Sequence, residues 1–354
     1  MPFVEATPPN AAVRAPFSVP PELEAHEPPE YRGRSRDDVR LLVTGSDRGA
    51  QHARFDAIAG FLSAGDLVVL NDSMTFPAAL RTTHESGEEV LLHFAPPQSY
   101  GQDVRPIAAV VEPRKASVQS GERIALPGGG RLAWTEMRRG SRRLWHADVE
   151  LPLPYLAYFE HFGMPIAYPH ARRDLPIDAY QTTYARVLGS SEMPSAGRPF
   201  TRAIFHSLTS RGIELATVTL HAGVSTEERD ELPLEEWREV PLRTAAAIRR
   251  AMKRGCRIIA VGTTVVRALE SSLDRRHRII PSRGWTGLHI SPDRPMRVVG
   301  GLLTGFHEPA STHLAILESL AGRAHIEDAY RTALAERYLW HEFGDSHLLL
   351  PKRG

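Results

Sequence analysis

The feature that most constrains this 354-residue chain is a change of periodicity inside it. Between residues 79 and 150, short alternating segments are separated by Gly and Pro: Glu89–Phe94, Ile107–Val111, Glu122–Leu126, Arg131–Glu136 and Leu144–Val149. Helical spacing is absent there. Alternation at period two buries one face of a strand, so the stretch predicts a small antiparallel barrel or sandwich. On both sides the pattern is α/β. The run Leu67–Leu70 reads as a buried strand opening onto Asn71-Asp72, and Asp56–Ala64 before it as a short helix. After Pro152 come helix Arg202–Ser210, strand Glu214–Leu220, helix Arg243–Arg254, strand Arg257–Val261 and helix Thr264–Leu273. A strand within Met296–Leu303, helices Thr312–Ala321 and Ile326–His341, and a last strand Leu348–Leu350 complete the alternation. Such alternation implies parallel pairing, in an open sheet or a barrel.

The expected architecture is therefore α/β: a large α/β domain from 36–78 and 151–354, interrupted by a small β-barrel at 79–150. Residues 1–35 carry Pro2, Pro8, Pro9, Pro16, Pro20, Pro21, Pro28 and Pro29. Proline lacks a donor and restricts its neighbour, so this segment predicts an extended arm over the surface. Pro127-Gly128-Gly129-Gly130 reads as a hairpin; a phosphate loop would need a Walker lysine and a following helix.

Charge and cysteine content exclude several classes. Lys and Arg total 43 against 42 for Asp and Glu, so no basic or acidic tail dominates, although a local basic face remains compatible with the total. A single cysteine, Cys256, excludes a disulfide scaffold and a multi-cysteine metal site. No apolar run reaches the roughly 20 residues of a membrane span, and the first residues lack a signal core. A soluble cytoplasmic protein is expected.

Four local signals carry chemistry. Val261-Gly262-Thr263-Thr264-Val265-Val266-Arg267 turns from strand to helix, with hydroxyls and amide donors at the helix start and Arg267 one turn in. That arrangement suits a carboxylate or phosphate, and equally suits plain capping by Thr263 or Thr264. His221, in Leu220-His221-Ala222-Gly223, ends a strand; it either faces a pocket as a proton acceptor or is a buried structural histidine. Gly305–Thr312 links strand to helix and concentrates His307, Glu308 and Thr312, with Ser311 or Thr312 as the alternative cap. Tyr180 and Tyr184 would share a helical face, either stacking on a base or packing on the sheet. No HExxH is present, and no metal is expected. Arg138, Arg139, Arg142 and Arg143 form an RNA-backbone footprint or a solvated hairpin tip.

Taken in order, these segments resemble one family. The pieces are Gly65-Asp66-Leu67-Val68-Val69-Leu70-Asn71-Asp72-Ser73, Pro152-Leu153-Pro154-Tyr155, Tyr180-Gln181-Thr182-Thr183-Tyr184-Ala185-Arg186 and Pro194-Ser195-Ala196-Gly197. They continue through Val218–Gly223, Ile259–Ser271, Leu303–Thr312, Ala329-Tyr330 and Phe343-Gly344-Asp345. The chain resembles the bacterial S-adenosylmethionine:tRNA ribosyltransferase-isomerases of queuosine biosynthesis from about residue 36 onward. The resemblance implies a large α/β barrel-like domain with an inserted antiparallel β-barrel. It also implies S-adenosylmethionine as ribosyl donor and a 7-aminomethyl-7-deazaguanine base of tRNA as acceptor, with adenine and methionine leaving. On the matched motifs, His221 is the first candidate for proton handling. Gly262, Thr263, Thr264 and Arg267 would hold the methionine carboxylate or a ribose hydroxyl, with Tyr180 and Thr312 also on the donor. His307 and Glu308 would contact the ribose or a leaving group.

The chain departs from the family pattern at polar positions. Met74 stands where an arginine is usual, and Arg198-Pro199 where Leu-His is usual. Acidic residues follow His221, no histidine lies in Leu232–Val240, and Leu288–Pro292 is altered. Three functions stay open on the sequence. They are the same tRNA reaction, a diverged S-adenosylmethionine-using lyase or transferase with a small-molecule acceptor, and a non-catalytic RNA-binding relative.

Overall fold

A computed structural model describes residues 17–45, 49–84, 87–97, 107–114, 116–224, 234–309 and 311–351. The first strands are β1 (Arg40–Thr44), β2 (Gln51–Arg54), β3 (Leu67–Asn71) and β4 (Ser73–Thr75). The inserted unit holds β5 (Ala79–Thr83), β6 (Glu89–Phe94), β7 (Ile107–Arg114), β8 (Arg123–Leu126), β9 (Gly130–Met137) and β10 (Trp145–Glu150). Then follow β11 (Val187–Ser190), β12 (Glu214–Leu220), β13 (Glu236–Val240), β14 (Ile258–Val261), β15 (Ser282–Thr286), β16 (Gly301–Thr304) and β17 (Ser346–Leu349). The helices are α1 (Tyr155–Phe162), α2 (Arg202–Ser210), α3 (Leu242–Lys253), α4 (Thr263–Glu270), α5 (His313–Ala321) and α6 (Arg323–Ala335).

The large sheet has the order β15-β13-β12-β3-β14-β16-β17-β1-β2. Its centre is parallel: β3 pairs parallel with both β12 and β14, and β14 with β16. Strands β13, β15, β17 and β2 bring antiparallel pairs. Alternation along β3 explains the layering. Leu67 and Val69 join the core under α3, α4, α5 and α6, while Val68 and Leu70 join the opposite core with α2 and the 3₁₀ segment Phe55–Phe61. All four side chains are nearly solvent-free, each contributing about 1.5–3 kcal/mol of burial. Because β12, β3, β14 and β16 run the same way, their carboxyl ends meet along one rim, where α/β sheets place ligands.

The insertion orders its strands β5-β6-β7-β10-β9-β8. Its ends meet where Thr82 Oγ1 donates to Ala125 O at 2.5 Å, so the sheet nearly closes into a barrel. Leu80, Leu92, Val111, Trp134 and Val149 fill it, and Phe159 of α1 packs against Phe94 at its base. Pro127–Gly129 joins β8 to β9 as a 3₁₀ hairpin turn, with no phosphate-loop helix behind it.

Four expectations need correction. Phe55–Phe61 is 3₁₀, not α: Phe55, Ile58 and Ala59 reach the core at a spacing near three. The aromatic pair shares no helix, since only Ile177–Tyr180 forms one 3₁₀ turn; Tyr180 stacks on Tyr168 and Tyr184 packs on Phe205. Helix α6 stops at Ala335 because Arg337 turns with φ 55°. That turn frees Trp340 to bond the arm: Trp340 N donates to Leu23 O (2.8 Å), and Ala25 N to Trp340 O (3.2 Å). Finally, α4 is capped by Gly262 at φ 89° with no side-chain cap, so neither Thr263 nor Thr264 is the cap.

Candidate active site

The rim of parallel strand ends opens into a cavity of about 550 Å³, inside the usual range for small-molecule sites. Behind its wall lies a saturated polar frame. Asn71, at the end of β3, bonds the backbone of Leu220 both ways, donating to Leu220 O (2.8 Å) and accepting from Leu220 N (2.9 Å). Asp72 accepts from Thr219 Oγ1 at 2.6 Å. At the other end of β3, the Asp66 carboxylate accepts from Ser63 N, Arg257 N and the Arg257 guanidinium, at 2.7–3.0 Å. The Gly65–Ser73 motif therefore locks three strands together.

His221 belongs to that frame. Its Nδ1 is 2.7 Å from Ser73 Oγ, which is 2.6 Å from Ser190 Oγ. The ring stacks on Trp237 (5.3 Å, 19°) and is 2% exposed. Burial pushes its pKa down to about 4, so it is neutral at pH 7. A Cβ added at Gly189 would lie 2.6–2.7 Å from three ring atoms, so only glycine fits beneath it. The cavity is lined by Ala222 and Gly223, and His221 sits behind them. Tyr180 is likewise behind the wall, stacked on the lining residue Tyr168 (5.6 Å, 25°), and burial raises its pKa to about 12.

The other sequence-predicted residues line the cavity: Gly262, Thr263, Thr264, Arg267, His307, Glu308 and Thr312. The first turn of α4 faces it without a side-chain cap, leaving amide donors for an anion. Arg267 is already committed. It forms an ion pair with Glu236 and donates to Leu288 O (3.2 Å), Leu234 O (3.3 Å) and Thr286 O (3.4 Å). Glu236 in turn accepts from Gly223 N at 3.1 Å, so this pair ties α4 to the loop after β12. His307 Nε2 is 2.7 Å from Thr304 Oγ1, and its ring meets His313 edge-on at 4.8 Å. Burial, with His313, His347 and His341 nearby, holds His307 far below the ordinary histidine range. The Glu308 carboxylate is half exposed, and burial with Glu24 nearby raises its pKa.

The sequence reading missed a second set. His93, Glu112 and Arg114 bring the inserted barrel to the wall. Although burial opposes its ionisation, His93, Arg143 and Arg114 hold the Glu112 carboxyl down to about 2. Arg143 lies 2.8 Å from Glu112, so it is turned inward from the basic hairpin, whereas Arg139 and Arg142 are exposed. His170, His289, His313, His341 and Glu342 also line the cavity. A spacing rule cannot find them, because they come from loops far apart in the chain. The matched pieces Pro194–Gly197 and Phe343–Asp345, with the altered segment Leu288–Pro292, were the signals pointing to these loops.

The departures from the family pattern divide: Leu234 and Glu236, from the segment Leu232–Val240, line the cavity, and others lie off its wall. Met74 is not among the lining residues. Arg198 is buried, pairing with Glu30 of the arm (2.9 and 3.1 Å), donating to Ala179 O (3.1 Å) and lying over Phe343; it offers nothing to a phosphate backbone. Leu288, His289 and Ile290 do line the cavity. Of the acidic residues after His221, Glu227, Glu228, Asp230 and Glu231 lie outside the described residues. No helix among the described residues is long and apolar enough to cross a membrane.

A family model described as queuosine biosynthesis protein matches residues 14–349. The S-adenosylmethionine:tRNA ribosyltransferase-isomerase of Desulforamulus reducens is 33% identical, over 94% of this chain and 98% of that relative. The enzyme of the same name from Syntrophotalea carbinolica is 34% identical with the same coverage. Among solved structures, the S-adenosylmethionine tRNA ribosyltransferase of Thermotoga maritima superposes with a TM-score of 0.53 at 28% identity, covering 94% of this chain and 99% of that one. Matched from end to end of its described fold, this chain belongs to the queuosine biosynthesis protein family.

Proposed function

We propose that the protein transfers and isomerises the ribosyl part of S-adenosylmethionine onto the 7-aminomethyl-7-deazaguanine base of tRNA, releasing adenine and methionine. The observation that carries this reading is the convergence of the matched loops 262–267 and 304–312 on one cavity of about 550 Å³. That volume accommodates the donor together with one extruded base. The donor's carboxylate sits at the uncapped start of α4, on the amides of Thr263 and Thr264, where the helix dipole favours an anion. Arg267 supports this end by holding the loops around it.

The carbon beside the sulfonium is acidified by the adjacent positive charge. His307, on the wall, is the group that takes that proton; its Nε2 contact with Thr304 fixes the ring. Glu308 stands on the same wall. His221 supports the wall from behind, through Ser73 and Ser190. Enclosure between the large sheet and the inserted barrel keeps water from the ylide-like intermediate. No step in this scheme calls on a metal.

The test is incubation with S-adenosylmethionine and tRNA carrying the aminomethyl precursor, read by nucleoside mass spectrometry. The expected result is an epoxycyclopentanediol addition with release of adenine and methionine. Adenine release without addition to RNA would favour a small-molecule acceptor. The altered wall segment Leu288–Ile290 is the feature that keeps that second reading open.

A further inference from the structure

One end of the cavity is built by His341 and Glu342, in the turn before β17, and by His170, in the loop after α1. His341 Nε2 is buried without a hydrogen-bond partner, and beside it His170 Nε2 and Glu342 Oε2 face each other. They lie within 4.8 Å of one another. The His170 side chain is only 8% exposed, and its Nε2 approaches Glu342 Oε2 to 2.7 Å. His341 adopts φ 72°, an uncommon conformation for a non-glycine residue. Glu308 Oε1 stands 3.6 Å from His341 Nε2. A buried polar atom left unpaired opposes folding unless a ligand satisfies it. An unpartnered buried acceptor beside a carboxylate on a cavity wall marks the place of a ligand.

The chemistry of the atoms selects the ligand. Glu342, Glu308 and the neighbouring Glu24 repel an anion. The cavity's lining arginines among the described residues, Arg114 and Arg267, are engaged by Glu112 and Glu236. A metal ion needs ring lone pairs that converge at about 2.0–2.1 Å. The two imidazoles here are stacked at 4.1 Å and 8°, so their in-plane lone pairs lie in nearly parallel planes and do not meet. An ammonium makes no such demand. It donates three bonds of about 2.8–2.9 Å, and its acceptors then stand up to about 4.7 Å apart.

We infer that His341, Glu342 and Glu308, backed by His170, form a subsite for a primary ammonium group. Glu342 and His341 Nε2 accept from it, Glu308 closes the third side, and His170 steadies the Glu342 carboxylate. The site stands on geometry alone. Which amine it takes rests on the function proposed above, which supplies two: the α-ammonium of S-adenosylmethionine and the aminomethyl group of the acceptor base.

The first experiment is independent of that function. The full chain is titrated with n-butylammonium, and with n-butanol as the neutral control, while the imidazole resonances of His170 and His341 are followed by NMR. Both resonances should shift with the ammonium and not with the alcohol. Glu342→Gln should weaken the response about tenfold or more. His341→Ala, on the cavity wall, gives a second reading if Glu342→Gln fails to fold. No shift up to about 100 mM, or an equal shift with butanol, overturns the proposal. So does tight Zn²⁺ binding at these histidines that butylammonium cannot displace.

Calorimetry then separates the sources. S-adenosylmethionine is compared with its desamino analogue, and the aminomethyl base with its hydroxymethyl counterpart. Glu342→Gln should lower affinity about tenfold for the aminated member of one pair only. A butylammonium response with no binding of either natural amine would sink the proposed function and leave the ammonium subsite standing. Equal losses for aminated and neutral members would overturn the subsite.

Discussion

Two layers of the same site behave differently. In the frame behind the wall, Asn71, Asp72, Ser73, Ser190 and His221 bond one another or the backbone at 2.6–3.2 Å, and Asp66 extends that frame at the far end of β3. On the wall, the buried Nε2 of His341 has no hydrogen-bond partner. A saturated polar group has spent its bonding capacity on the fold, whereas an unsatisfied one keeps it for a ligand. The difference teaches that motif membership and chemical role are separate properties. His221 sits in a matched motif and serves the frame. His341 sits in no motif and faces the cavity.

The largest effect should come from the frame. Asp66→Ala strips the acceptor from Ser63 N, Arg257 N and the Arg257 guanidinium inside a 1% exposed site. It should cost about 3–5 kcal/mol in urea unfolding, as expected when one partner of a buried ion pair is removed. An unchanged unfolding midpoint would break the distinction between frame and wall.

Acid should reach the buried histidines next. The His221 and His313 pKa values are pushed down to about 4 and that of His347 to about 3 by burial, against about 6.5 for an ordinary histidine. The unfolded chain binds these protons first, so the stability they contribute is present above about pH 6.5 and is lost as pH falls through 4. Unfolding free energies measured between pH 7 and pH 4 should drop by up to about 10 kcal/mol in total. A flat profile would mean that these rings are not buried neutral.

His221→Ala sharpens the comparison further. Loss of the stack on Trp237 and of the Ser73 contact should destabilise the protein by about 2–4 kcal/mol. Turnover per folded molecule should stay within about threefold, whereas His307→Ala should lower it about a hundredfold without a comparable loss of stability. A hundredfold fall in kcat for His221→Ala, with stability intact, would return the proton-handling role to it.

The smallest effect is expected at the exposed hairpin. Arg139→Ala with Arg142→Ala should change tRNA affinity less than about threefold and leave its salt slope alone, as for a solvated tip. A slope reduced by about one per arginine would instead place that hairpin on the RNA backbone.

The elements that local patterning specifies were legible. Helix Arg202–Ser210 and strands Glu89–Phe94 and Glu214–Leu220 stand where periodicity placed them. The insertion, too, was announced by its period of two. Side-chain alternation is a local property, so a window of ten residues carries it. Boundaries set by distant contacts were not legible: α6 ends early because Trp340 is drawn to the arm at Leu23 and Ala25.

For the site, the sequence by itself determined the loops, and only the tertiary structure decided which residues in them face the cavity. Loops 262–267 and 304–312 could be named because glycine turns and strand-to-helix junctions are written in neighbouring residues. That Arg267 is spent on Glu236, and that His221 lies behind Ala222 and Gly223, depends on groups arriving from other strands. His170 meets His341 and Glu342 only because the arm and the C-terminal turn fold against the loop after α1. Local sequence sets backbone geometry; partners brought together by the sheet decide whether a polar atom is left to bind anything.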